Sequence, residues 1–452
     1  MVKKIQKVKN KTVKKIAEKV ENKNPNQNLI QTVKGFRDIL GAEYFRQKGA
    51  LEKCEDVATY YGFSPLEIPM LEYTDIYERG VGADTDIVSK ELFNITTKGG
   101  DKISLRPEFT AGVMRAYIEN GWGAMPQPVM VYNYGSIFRH DKPQKGRYRE
   151  FKQFNLEMLG TEKAIADAMI IKTSVAMLEE IGLTDVVVEI NSIGDKESRK
   201  KFLKDLTNYY KKYNNKLCVN CRDRLKNSPL RLLDCKEETC IPYKADAPKP
   251  MNSLNPESKR HFKEVLEYLE GTGVVYNINH HLVRGLDYYT HTVFEFEKTF
   301  VDDAGNEKTL SIGGGGRYDY LGKVMGSKKD IPAVGVALGI DRILLMPGTE
   351  NVQSKLQKKP KVFFVQIGLE AKLHSLSIVE MLRKARIPMA QSLSKDSLGV
   401  QLGMAERLEV PYVLIFGQKE ALDNVVIVRN MKNHSQETVK IDEVVEYIKH
   451  LK

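Results

Sequence analysis

The sequence predicts an α+β core with a helical insertion, followed by a separate α/β domain. Three observations lead there. Between Gly35 and Gly194, apolar alternation of period two is interrupted by helix-period stretches and tight turns, which suggests a mixed, largely antiparallel sheet. From Asp195 to about Gly271 the chain becomes charged and helical and carries four of the five cysteines. After Pro347, strand and helix patterns alternate, as in an open α/β fold.

Residues 1–31 form a basic N-terminal extension. Met1–Asn24 holds nine Lys and two Glu, a local 9 − 2 = +7 within a chain total of +11. The Asn-rich stretch Asn22–Asn28, with Pro25, breaks any helix and reads as a linker. The arm is either a disordered basic tail or an RNA-touching one.

Residues 32–347 form the core. Arg46–Tyr61 reads as an amphipathic helix and Phe63–Met70 as a strand ending at Pro69. Lys102–Leu105, Pro128–Phe138, Gly146–Leu159 and Val186–Ile190 read as strands, with helices at Phe109–Asn120 and Glu162–Ile181. The insertion occupies about residues 195–271. Strand character returns at Val274–Asn277 and Val293–Glu297. Residues 348–360 read as a polar linker. In residues 361–452, Val362–Ile367, Tyr412–Phe416 and Val425–Val428 are expected strands, and Ala371–Ala385, Asp396–Leu408 and Glu443–Leu451 expected helices.

Composition narrows the function classes. Hydrophobic residues make up 42% and charged residues 29%, which supports large globular cores. No apolar run approaches the roughly 18–20 residues of a membrane-spanning helix. The lysine-rich start lacks the apolar segment of a secretory signal. Five cysteines in 452 residues do not make a disulfide scaffold, so the expected compartment is the cytoplasm. The positive excess favours polyanionic partners, nucleic acid above all.

Five segments carry chemistry. Phe138–Gln153 reads strand, basic turn, strand, with Arg139, Lys142, Lys145, Arg147 and Arg149 on or beside the turn. So many cations close together call for an anion, such as a nucleotide triphosphate or an RNA end. Period two then puts Phe151, Gln153, Asn155 and Glu157 on one strand face. Leu282–Thr290 sets Arg284 beside a glycine and follows it with Tyr288 and Tyr289, a composition suited to a small polar ligand or to a capped strand end. Gly313–Gly316 lets the backbone approach a ligand, or is simply a flexible turn. Ala333–Leu345 leads small residues into an apolar helix carrying Asp341 and Arg342. Leu105–Thr110 could hold an ammonium group through Glu108 and Thr110, or merely start a helix.

Together these segments resemble the class II aminoacyl-tRNA synthetases, and among them the histidyl-tRNA synthetase family, from about Gly35 to the C-terminus. Pro69 with Gly80–Phe93 resembles the first class motif, at a dimer interface. Arg139–Glu157 resembles the second, and Ala333–Leu345 the third. Val283–Tyr289 and Gly315–Tyr318 resemble the two histidine-specific signatures. The resemblance implies a cytoplasmic homodimeric histidine–tRNA ligase: a class II antiparallel-sheet catalytic core with its insertion, and a C-terminal α/β anticodon-binding domain. Its substrates would be L-histidine, ATP with Mg2+, and tRNA(His). Glu108, Thr110 and Gln153 would bind the α-amino group. Glu157 and Tyr289 would read the imidazole, with Tyr288 alongside. Arg139 would bind the α-phosphate and the carboxylate. Arg342 and Phe151 would sandwich the adenine, and Arg147 would reach the distal phosphates. Arg284 would be the catalytic cation, beside Arg139. Gln144 and Arg149 would meet the tRNA acceptor end.

Cys218-x2-Cys221 and Cys235-x4-Cys240 have the spacing of a structural zinc site, with free thiols as the alternative. A different class of function, a non-catalytic relative that binds ATP phosphoribosyltransferase, would lack the C-terminal domain and the Arg284 signature. This chain has both.

Overall fold

The computed structural model describes residues 30–144, 146–302 and 304–451. The basic extension therefore lies outside the described residues except for its last two, and so does Lys145 of the basic turn. Two compact units follow one another, one ending at Ser354 and one beginning at Lys355. No described helix is long and apolar enough to cross a membrane.

The first unit is built on an eight-stranded sheet. Its strands are β1 (Ser64–Pro65), β2 (Val129–Phe138), β3 (Glu150–Leu159), β4 (Val187–Ser192), β5 (Tyr276–Ile278), β6 (Thr290–Val301), β7 (Glu307–Arg317) and β8 (Ala333–Gly339). They lie in the order β1-β2-β3-β8-β7-β6-β4-β5. Every neighbouring pair is antiparallel except the two outermost, β1 with β2 and β4 with β5.

One face of this sheet is dry. Phe154, Leu156 and Met158 of β3, Val334, Val336 and Leu338 of β8, and Phe294 and Phe296 of β6 share one apolar cluster with helix residues. Three helices supply them: Gly41–Tyr60, Ala164–Ile181 and Pro256–Gly271. The alternate residues of the same strands are thereby turned to the opposite face.

The insertion between β4 and β5 starts where Asp195 accepts from the Ser198 N–H at 2.9 Å and caps the helix Lys196–Lys211. Asn255 caps the last helix the same way, at 2.8 Å from Ser258 N–H. Between them the insertion builds its own apolar cluster around Phe202, Leu206, Leu230 and Leu232.

Three expectations for this unit change. The strand expected at Phe63–Met70 shrinks to Ser64–Pro65, and Leu71–Tyr73 instead joins a separate three-stranded sheet with Asn94–Thr96 and Lys102–Leu105. Gly313–Gly316 is no turn: it lies inside β7, paired on both sides. Ala333–Leu345 is mainly strand, and its helix is only Ile340–Ile343.

The second unit holds a five-stranded sheet, with β9 (Val362–Gln366), β10 (Met389–Gln391), β11 (Tyr412–Phe416), β12 (Val425–Asn430) and β13 (Gln436–Lys440). The order is β10-β9-β11-β12-β13, parallel around β9 and antiparallel beyond β11. Val362, Phe364, Leu414 and Phe416 pack into one apolar cluster, Phe363, Val365 and Val413 into another. Both faces of the central strands are thus covered, as their unbroken apolar runs require.

Candidate active site

On the face of the sheet away from the three helices lies a cavity of about 580 Å3. Phe151, Gln153 and Asn155 of β3 form part of its floor. Two glycines make room for charged side chains there. A Cβ on Gly314 would stand 2.6 Å from the Phe294 carbonyl oxygen and 2.9 Å from Nη1 of Arg284. A Cβ on Gly335, which pairs with Glu157 across β8 and β3, would collide outright with Glu157 Oε2. Neither site tolerates any other residue in this arrangement.

Glu157, on the same face of the strand as those floor residues, is fully buried. Its Oε1 accepts from the Thr110 hydroxyl at 2.7 Å, and its Oε2 accepts from the Tyr318 hydroxyl. Burial pushes its pKa up to about 8, against the pull of those two donors and with some help from Glu108. The carboxyl is therefore mostly protonated at neutral pH. Tyr288 and Tyr289 line the same end of the cavity, their rings 4.7 Å apart, with Tyr288 also 5.6 Å from Tyr318. Burial raises all three phenols, which keeps them protonated and able to donate.

Glu108 is at once a helix start and a cavity wall. Its carboxylate accepts from the Thr110 N–H at 2.6 Å and the Ala111 N–H at 2.9 Å, capping the helix Thr110–Glu119. It also lines the cavity, as does Gln153. Gln153 Oε1 is buried and has no hydrogen-bond partner among the described residues. Left so, it costs roughly 1–3 kcal/mol, and a ligand N–H or ammonium would remove that cost.

Four arginines ring the rest. Arg139 donates through Nε to the Pro107 carbonyl at 2.9 Å, and its guanidinium carbon sits 5.6 Å from the Phe151 ring centre. Arg342 donates to the carbonyls of Gly146 at 3.3 Å and Ser311 at 3.2 Å. Arg147 pairs with Asp141 at 2.6 Å. Arg284 pairs with Glu295, which projects from β6 beside Gly314. Burial lowers the pKa of Arg139 and Arg342, and Arg147 and Arg284 add repulsion at Arg342. At Arg284 burial works the same way, but Glu295 more than restores the charge. Arg139 and Arg342 are desolvated and bonded to carbonyls, which leaves their charge for an anion, while Arg147 and Arg284 already carry carboxylate partners.

The cavity thus gathers all the residues expected to meet histidine or ATP except Glu157, which is hydrogen-bonded to two of its walls, Thr110 and Tyr318. Gln144 and Arg149 are not among its walls. Gln144 is exposed, in a backbone bridge to Arg147. Arg149 is held by the carbonyls of Asp141 and Lys34, each at 3.2 Å. Away from the cavity, Cys218, Cys221, Cys235 and Cys240 come together in the insertion.

Sequence reasoning missed three partners. Glu295 looked like one polar residue of an alternating strand. Tyr318 had a signal, since it ends the Gly315–Tyr318 signature, but no role was attached to it. Asp341 does not pair with its neighbour Arg342. It accepts from Arg37 at 2.7 Å and from the Lys152 N–H at 2.6 Å, bracing β3. Beside Tyr318, the buried Arg317 pairs with Asp167 and donates to the Thr161 carbonyl at 2.7 Å. Burial opposes the Asp167 charge, but Arg317 and His261 outweigh it and hold this carboxyl below the usual range.

Comparisons with known proteins agree over most of the chain. A family model described as histidyl-tRNA synthetase matches residues 35–194 and 244–343, and one described as an anticodon binding domain matches residues 361–451. The histidine–tRNA ligase of Caldicellulosiruptor saccharolyticus is 39% identical over 420 residues, 93% of this chain and 99% of that protein. That of Acetivibrio thermocellus is 37% identical over 425 residues, 93% of this chain and 100% of its own. The solved apo histidyl-tRNA synthetase of S. aureus superposes with a TM-score of 0.76 at 29% identity, covering 93% of this chain and 100% of that one. A Bacillus halodurans structure described as an ATP phosphoribosyltransferase regulatory subunit/histidyl-tRNA synthetase shares the fold, with a TM-score of 0.60 at 21% identity, over 86% of this chain and 98% of that one.

Proposed function

The chain belongs to the histidyl-tRNA synthetase family and its activity is histidine–tRNA ligation; from that premise we propose how its own residues carry the reaction out. L-Histidine lies with its imidazole over Glu157, between Thr110, Tyr288 and Tyr289. Its α-ammonium group meets Glu108, Thr110 and the free oxygen of Gln153. ATP enters as its Mg2+ complex, the metal being part of the substrate. Arg342 and Phe151 enclose the adenine, and Arg147 meets the distal phosphates.

The histidine carboxylate then attacks the α-phosphorus. A C–O–P bond forms, the bond to the bridging oxygen breaks, and diphosphate departs. Arg139 and Arg284 bring two anions together and neutralise the charge that grows on the phosphoryl oxygens. Positioning and electrostatics supply the rate, and no side-chain nucleophile is needed. In the second step the terminal ribose hydroxyl of tRNA(His) attacks the histidyl carbonyl and AMP leaves. Gln144 tips the turn toward the acceptor end, and Arg149, tied to two carbonyls, keeps that turn in shape.

The observation that carries the amino-acid assignment is the buried, mostly protonated Glu157 with its two hydroxyl donors. Such a group complements a ring with both a donor and an acceptor nitrogen. Exchange of labelled diphosphate into ATP, run against each of the twenty amino acids, is expected with histidine alone. Comparable exchange with another amino acid would overturn the assignment.

The second compact unit is assigned the tRNA anticodon, on the strength of the family match over residues 361–451. Removing those residues is expected to spare diphosphate exchange and to abolish most tRNA charging. Undiminished charging would contradict the anticodon role. A homodimer is assigned to the segment that resembles the first class motif, Pro69 with Gly80–Phe93, beside which Met70, Leu71, Tyr73 and Ile95 are exposed. The cytoplasm is the assigned compartment. The insertion cysteines enter none of these steps.

A further inference from the structure

Cys218 and Cys221 flank the start of the helix Val219–Asn227, and Cys235 and Cys240 lie on the turn before Ile241–Ala245. Their four Sγ atoms all fall within 4.8 Å of one another, with three of the residues buried. A tetrahedron with metal–sulfur bonds of about 2.3 Å sets its sulfurs about 3.8 Å apart. The Cys218 and Cys235 sulfurs are 3.9 Å apart. The Cys221 N–H donates to the Cys218 sulfur at 3.4 Å, and the Cys218 N–H to the Cys240 sulfur at 3.3 Å. Backbone donors of this kind orient sulfur ligands around a metal. The four thiols are all free, and a disulfide would instead require a pair about 2 Å apart. Four soft sulfur donors, with no His, Asp or Glu joining the group among the described residues, suit a closed, structural Zn2+ site.

The location gives this centre a consequence. Cys235 stands between Asp234 and Lys236, and both of those line the active-site cavity. The apolar cluster that contains Cys221, Cys235 and Cys240 also takes in Val283, the residue before Arg284. Arg231, on the approach to Cys235, pairs at 2.6 Å with Asp86, next to the cavity residue Ile87. The stretch from Cys218 to Cys240 is short, with one helix of nine residues and one short turn of 3-10 helix.

We propose that Cys218, Cys221, Cys235 and Cys240 bind one structural Zn2+, and that this ion fixes the turn carrying Asp234 and Lys236 and the packing of Val283, so that Arg284 stays at the cavity wall. The metal assignment stands on the cysteine geometry alone. The link to Arg284 rests on the active-site reading above.

The test measures metal content and activity on the full-length chain, purified without chelator. Elemental analysis is expected to give about one zinc per chain, lost in the Cys221→Ser/Cys235→Ser double variant. Cobalt substituted into the wild type should show the absorption of tetrahedral thiolate ligation, absent from the variant. Histidine-dependent diphosphate exchange is expected to fall by about 10-fold or more on loss of the metal. Because the variant could simply misfold, the wild type is also stripped with a chelator and reloaded with zinc, and exchange should fall and return. Iron in place of zinc, or less than about a tenth of an equivalent of zinc, overturns the site. Zinc that can be removed with exchange unchanged overturns the link to Arg284. A zinc-loaded chain with no histidine-dependent exchange would sink the active-site reading, while the metal count still decides the site.

Discussion

Arg284→Ala lowers histidine-dependent diphosphate exchange by about 10²–10³-fold, the usual cost of removing one donor aimed at charge that develops in a transition state. The effect should fall on kcat more than on the KM of histidine, because the imidazole and ammonium contacts remain. Glu295 loses its partner in the same variant, so part of the loss could come from a carboxylate left in the wall of an anion site. Arg284→Ala/Glu295→Gln separates the two causes. If Arg284 acts directly on the reacting centre, the double variant stays slow. Arg284→Lys keeps the charge but loses the planar fork, and should recover only part of the rate. Single-turnover rates of adenylate formation by rapid quench check all three. A wild-type rate in Arg284→Ala would remove the residue from the mechanism.

Glu157→Gln reduces kcat/KM for histidine by roughly 10–100-fold, the scale of one buried polar group left unpaired, because an amide NH2 cannot accept from Thr110 or Tyr318 as the carboxyl oxygen does, and changes the pH profile. Glu157 holds a proton up to about pH 8 in the folded chain. A free histidine side chain loses its proton near pH 6.5. Between those values, site and substrate together hold one proton, which is what a bound imidazole and a buried carboxyl can share. The wild-type profile should therefore fall on both sides, near 6.5 and near 8. Glu157→Gln should keep the lower limb, which belongs to the substrate, and lose the upper one. The same shift bears on stability. The folded chain keeps a proton that the unfolded chain gives up in the ordinary carboxylate range, so this group's contribution declines as pH rises from that range to about 8 and is level beyond. Urea unfolding across that interval should show the wild type losing stability relative to Glu157→Gln.

What was legible in the sequence follows from which signals are local. Period two along β3 separated Phe154 and Leu156 from Gln153 and Glu157 without any tertiary knowledge, since a strand must alternate. The basic turn announced an anion because the cations from Arg139 to Arg149 repel one another unless negative charge lies among them. Gly313–Gly316 and Ala333–Gly339 misled for the opposite reason. Glycines carry no periodicity, so Gly313–Gly316 passed for a turn, while in Ala333–Gly339 Val334, Val336 and Leu338 do alternate but the small residues between them passed for the approach to a helix. Both strands have small residues because Arg284 and Glu157 lie against them, which only the folded arrangement reveals. The partners of Asp341 and Arg317 were equally hidden: Arg37 and Asp167 are 304 and 150 positions away. Short edge strands such as Met389–Gln391 and Gln436–Lys440 fell below what a pattern of three to five residues can signal.

The measurement that bears most directly on the central claim is a crystal structure of the chain with histidine and a non-hydrolysable ATP analogue. The Arg284 guanidinium should have left Glu295 to bridge the histidine carboxylate and the α-phosphate, with the imidazole hydrogen-bonded to Glu157. An Arg284 still paired with Glu295, or an imidazole seated away from Glu157, would contradict the mechanism.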